Sequence, residues 1–156
     1  CGARDVEAEA QYDPPANPLR PGAAGHWPML PAREGSADLA HPRKPWASVA
    51  YLTHFRKPWT AIRRMDDAIA VQLTWDGARF PCAWLWYELE GTTDAPWNGR
   101  THLVGIEPCT TPCALGLAEA RRRGASLLRL EPGHVYDTHI ALHVFKPSGA
   151  ITSILT

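Results

Sequence analysis

The decamer Leu103-Val104-Gly105-Ile106-Glu107-Pro108-Cys109-Thr110-Thr111-Pro112 sets one carboxylate at the end of an otherwise apolar run. Side chains alternate along a strand, so Glu107 shares a face with Leu103 and Gly105, while Val104 and Ile106 point the other way. Gly105 leaves space beside the acid. Pro108 holds Glu107 extended and has no N–H for a ladder, which predicts that pairing ends where the carboxylate emerges. A carboxylate at such a rim suits a ligand, and a solvated strand end is the alternative.

Aromatic residues come next. The run from Phe80 to Glu90 places Cys82, Trp84, Trp86, Glu88 and Glu90 on one face and Ala83, Leu85, Tyr87 and Leu89 on the other. Both faces are largely apolar, which predicts a central strand covered on both sides. The functional alternative is that one tryptophan of this run, together with Glu88, lines a pocket in which a sugar ring stacks and hydrogen-bonds. Trp97 follows Ala95-Pro96 in a loop and has no sheet core to join, so it is the better stacking candidate. His54, surrounded by Val49, Tyr51 and Phe55, reads either as a hydrogen-bonded structural histidine or as a site residue.

Other chemistry-bearing residues read as structural. His139 and His143 share a strand face but sit about 13 Å apart at the strand rise, too far for one metal. Cys109 and Cys113 offer two ligands where a structural zinc site needs four. Arg121-Arg122-Arg123 is a solvated helix end. No Ser/His/Asp order, phosphate loop or dinucleotide fingerprint is present.

The 156 residues are 45% hydrophobic and 21% charged, enough for one domain with a core. Lys+Arg 16 balances Asp+Glu 16, so no basic field exists to hold nucleic acid or a membrane surface, and a small neutral partner is expected. Seven tryptophans suit either packing or stacking on sugar C–H surfaces. Four cysteines at irregular spacing do not form a disulfide framework, and a reduced, cytoplasmic setting is expected. The first residues carry neither an apolar signal core nor an initiating methionine, so the chain reads as part of a longer protein.

These residues must be positioned by β-structure. Residues 1–46, with most of the prolines, predict an ordered loop with short edge segments, held to the body by Leu19, Trp27, Met29, Leu30 and Leu39. Residues 47–156 predict the sandwich portion. Strands are expected at 47–55, 58–65, 67–75, 81–90, 101–107, 125–130, 135–145 and 149–155. A single short helix is expected from Ala114 to Arg123, closed by Gly124. The fold class is thus all-β, an antiparallel sandwich with one short helix.

Four segments, Trp84-Leu85-Trp86-Tyr87-Glu88, Pro96-Trp97, Gly105-Ile106-Glu107-Pro108-Cys109-Thr110 and Leu130-Glu131-Pro132-Gly133 leading to His143-Val144-Phe145, resemble the aldose 1-epimerase (galactose mutarotase-like) family. The likeness is loose over the chain and closer over residues 80–145, in the order of the family's C-terminal half. It implies an incomplete β-supersandwich, a missing N-terminal half, and interconversion of sugar anomers by ring opening and closure. Glu107 would be the general base, with Trp97, Glu88, His54 and Trp86 as sugar contacts and no metal or organic cofactor. Such proton transfers contribute about 10²–10⁴-fold each, and partial desolvation of the carboxylate would favour the role. The family's acid falls in the half not present, and Thr53-His54 stands where related enzymes carry a sugar-binding aspartate. A non-catalytic carbohydrate-binding protein and an inactive fragment are the alternatives. The sugar and the oligomeric state stay open.

Overall fold

The computed structural model describes residues 1–66, 68–112, 116–125 and 127–154. Alternating apolar runs pair into antiparallel sheets. Strands β1 (Asp5–Ala8), β2 (Ala24–His26), β5 (Trp46–Thr53), β8 (Cys82–Leu89) and β9 (His102–Cys109) form a five-stranded sheet in the order β2-β1-β5-β8-β9. Strands β6 (Trp59–Arg63), β7 (Ala70–Trp75) and β10 (Ile140–Phe145) form a second sheet, ordered β10-β7-β6. A short pair, β3 (Met29–Pro31) and β4 (Ser36–Asp38), completes an all-β, sandwich-like architecture with one helix among the described residues, α1 (Gly116–Arg122).

One face of the larger sheet carries the core. Val6 and Ala8 of β1, Ala50 and Leu52 of β5, and Ala83, Leu85 and Tyr87 of β8 meet Leu19, Leu30, Ala32, Ala37 and Leu39 from the proline-rich segment. Leu19 and Leu39 are fully buried, so this segment is a wall of the core and not a strap over it. Trp27 packs against the same cluster, whereas Met29 is 43% exposed. Trp75 of β7 joins the core and stacks edge-on against Phe55.

Three sequence expectations are corrected. Pairing does not stop at Glu107: Glu107, Pro108 and Cys109 face Trp84, Ala83 and Cys82. Strand β9 is the sheet's outer edge, and a proline there withholds an N–H that no further strand requires. Residues 127–130 and 149–154 carry no strand; the latter instead lend backbone carbonyls, Gly149 to Arg63 and Ser153 to Gln72. The last strand is confined to Ile140–Phe145, and its Ile140, Leu142 and Val144 are exposed. The expected helix begins within residues outside the described set and is seen from Gly116. Its end follows expectation: Gly124 has φ 70°, and the N–H groups of Gly124 and Ala125 return to the carbonyls of Arg121 and Ala120, a left-handed cap that satisfies orphan carbonyls.

Candidate functional site

The face of the larger sheet opposite the core is built row by row from the strand registers. One row runs Glu7, Tyr51, Trp84, Glu107, and the next sets Trp86 between Val49 and Gly105. Two segments cover parts of this face. The turn after β8 closes over Ala47, where a Cβ added to Gly91 would meet the Ala47 backbone N at 2.7 Å. The chain after β9 crosses the other end, where the Trp84 indole N–H donates to the Thr111 carbonyl (3.0 Å) and Arg123 reaches Glu7 (3.1 Å). Between them lies a strip of half-buried Val49, Trp86, Gly105 and Trp97, bordered by exposed Glu107.

Three of the five sequence candidates converge there. Trp86 and Trp97 meet edge to face with ring centroids 5.4 Å apart. A Cβ on Gly105 would lie 3.2 Å from Glu107 Oε1 and 3.4 Å from Trp86 Cβ, so the carboxylate folds back over the glycine toward the indole. The room that the missing side chain leaves is thus taken up by the carboxylate itself and by the tryptophan. Glu107 itself is exposed, so the partial drying expected for a base is absent. Trp97 is held by a loop with a cis Ala95–Pro96 bond and by N–H donation from Trp97 to the Asp94 carbonyl at 3.0 Å. The Trp86 indole N–H and the Thr111 hydroxyl are, among the described residues, the buried side-chain groups without a partner.

The other two candidates lie elsewhere. Glu88 is fully buried and its carboxylate is committed to the turn that follows, accepting the N–H groups of Gly91 and Thr92 and the Thr92 hydroxyl. No lone pair is turned outward for a sugar. His54 sits just past β5 with φ 50°, its ring 65% exposed and its Nδ1 2.9 Å from Asp5 Oδ2. The registers put β5 and β9 on opposite sides of β8, about 10 Å apart at ordinary strand spacing. His54 lies three residues further along than Tyr51, the residue level with Glu107, so the two cannot act on one ring. His54 instead borders a cleft of about 640 Å³ with Thr53, Phe55, Phe80, Cys82 and Pro112.

Asp5 was not foreseen as a partner for histidines. Its carboxylate lies 2.7 Å from His26 Nδ1 as well as beside His54, and Arg4 above all, then His26, hold it below the usual carboxylate range. Only the β1–β2 register brings Asp5 opposite His26, and no local pattern reveals that pairing. Among the described residues no group of three or more His, Cys, Asp or Glu side chains is arranged to hold a metal ion. None of the described helices is long and apolar enough to cross a membrane. No protein-family model, curated protein or solved structure matches this chain.

Proposed function

We propose that the strip between Trp97 and Glu107 is a carbohydrate-binding surface. The observation that carries this reading is the convergence of a free carboxylate, a glycine and two tryptophans in edge-to-face contact. A sugar presents an apolar C–H face to an indole and hydroxyl donors to a carboxylate, and both are supplied within one ring's width. The partner is a small neutral sugar, in keeping with the balanced charge, and a cytoplasmic setting accords with free Cys1, Cys82 and Cys109.

Anomer exchange of the aldose 1-epimerase type is the second reading, favoured by an exposed carboxylate lying beside the Trp86 ring. Glu107 would take the C1 hydroxyl proton, and an acid would protonate the ring oxygen. His54 is too distant for that part, so this reading requires an acid from outside the described site. Titration of aldoses observed by protein NMR tests the first reading: signals of Trp86 and Trp97 should shift, and Trp97→Ala should weaken binding at least about tenfold. Absence of any shift across hexoses and pentoses would remove it. NMR exchange spectroscopy between α and β anomers separates the two readings, because Glu107→Gln abolishes exchange only if the carboxylate is a base.

A further inference from the structure

Cys82 and Cys109 are directly opposed on adjacent antiparallel strands, β8 and β9, and point to the same face. Directly opposed residues in such a pair have Cα atoms about 4.5 or 5.5 Å apart, depending on their place in the ladder. Both values fall within the roughly 4.4–6.8 Å span that a disulfide bridges without moving backbone. Both thiols are free. Cys82 is 7% exposed, whereas Cys109 is half-buried and donates to the Thr111 carbonyl at 3.2 Å. Cys82 also lines the cleft beside Phe80, Pro81 and Pro112, so the second thiol of the pair is not sealed in the core.

We infer that Cys82 and Cys109 form a redox modification site, a dithiol that closes to a cross-strand disulfide by exchange with a low-molecular-weight disulfide such as oxidised glutathione. The more accessible Cys109 loses its proton and attacks one glutathione sulfur, releasing one glutathione thiolate and leaving a mixed disulfide. The Cys82 thiolate then attacks the Cys109 sulfur and displaces the second glutathione. Two protons and two electrons leave the protein, and one glutathione disulfide becomes two thiols. The bridge pins the free-edge strand β9 to β8 one same-face position from Glu107, at the end of the ladder.

The reaction is expected to be slow at neutral pH. Desolvation pushes the Cys82 thiol up to about 11, and desolvation, followed by the neighbouring Cys82, pushes Cys109 up to about 12. The thiolate is the nucleophile, so the rate should rise about tenfold per pH unit from near neutrality into the alkaline range.

Exposure of the intact chain to millimolar oxidised glutathione, followed by mass spectrometry, tests this. Cleavage after Arg79, Arg100 and Arg121 leaves Cys82 on one peptide and both Cys109 and Cys113 on the next. The Cys113→Ser variant therefore removes the ambiguity. In that variant the two peptides should be found linked, and the oxidised protein should melt about 5 °C or more above the reduced form. Cys109→Ser should lose the link while folding normally, and Cys109→Ala serves if the serine variant does not fold. A Cys109–Cys113 bridge in the natural sequence, a glutathione adduct that never resolves, or unreacted thiols at about pH 9 would each overturn the assignment.

Discussion

The Glu88 carboxylate closes the turn that follows its own strand: Oε1 accepts the N–H groups of Gly91 and Thr92 at 2.9 Å each, and Oε2 accepts the Thr92 hydroxyl at 2.5 Å. Hydrogen bonds to an ionised group are each worth about 1.5–3 kcal/mol, and orphaned buried donors add to the loss. Glu88→Ala should therefore destabilise by about 3 kcal/mol or more in urea unfolding. Thr92→Val should cost less, and a double-mutant cycle should show coupling between the two. A loss below about 1 kcal/mol for Glu88→Ala would mean that the turn is held by something else.

Tyr87 donates its hydroxyl to the Leu39 carbonyl, joining the central strand to the proline-rich segment. Burial first, and the Asp38 charge second, raise its pKa well above the ordinary value of 10. The folded state thus binds this proton more tightly than the unfolded chain does. That stabilisation is present in full below about pH 10 and declines as the pH rises past it. Tyr87→Phe should remove this alkaline decline and cost about 1–2 kcal/mol at neutral pH, read from denaturant midpoints across pH.

Leu39→Ala should cost about 2–5 kcal/mol by opening a cavity in the core, because Leu39 is completely buried. Met29→Ala, at a residue 43% exposed in the same segment, should stay within about 1 kcal/mol. Equal effects in thermal melts would show that the segment does not form a wall of the core.

Gly105→Ala tests the strip without touching its polar groups. The new methyl would lie 3.2 Å from Glu107 Oε1 and 3.4 Å from Trp86 Cβ, so the carboxylate must give way to it. Stability should change by less than about 1 kcal/mol, since alanine suits a strand at least as well as glycine. Sugar affinity should fall about tenfold, by NMR titration, if the carboxylate contacts the ligand.

Alternation alone made the strands legible around Trp46–Thr53, Cys82–Leu89 and His102–Cys109, and it set Val104 and Ile106 on the face opposite Glu107, the face that packs on the core. Sequence spacing also made Trp86, Trp97 and Glu107 candidates, and the β8–β9 register together with the loop that carries Trp97 then set them together. What local pattern could not convey was rank within the sheet. Pro108 reads as a stop, yet at an edge it remains paired with Ala83, because the missing donor costs nothing where no strand follows. Glu88 looked available because its partners, Gly91 and Thr92, belong to a turn whose geometry emerges only after the strand is placed. The leucines at 127, 128 and 130 resemble a strand, but among the described residues they pair with no strand, and Leu128 and Leu130 stay exposed.

The β3–β4 turn separates chain continuity from structural integrity. Arg33 and Glu34 lie exposed at its tip, while Leu19 and Leu30 before them and Leu39 after them are locked into the same interior. A protease cutting once between Arg33 and Glu34 would sever the backbone yet leave both pieces gripping each other. Such nicked protein should elute as one species from a sizing column and part into two only in denaturant.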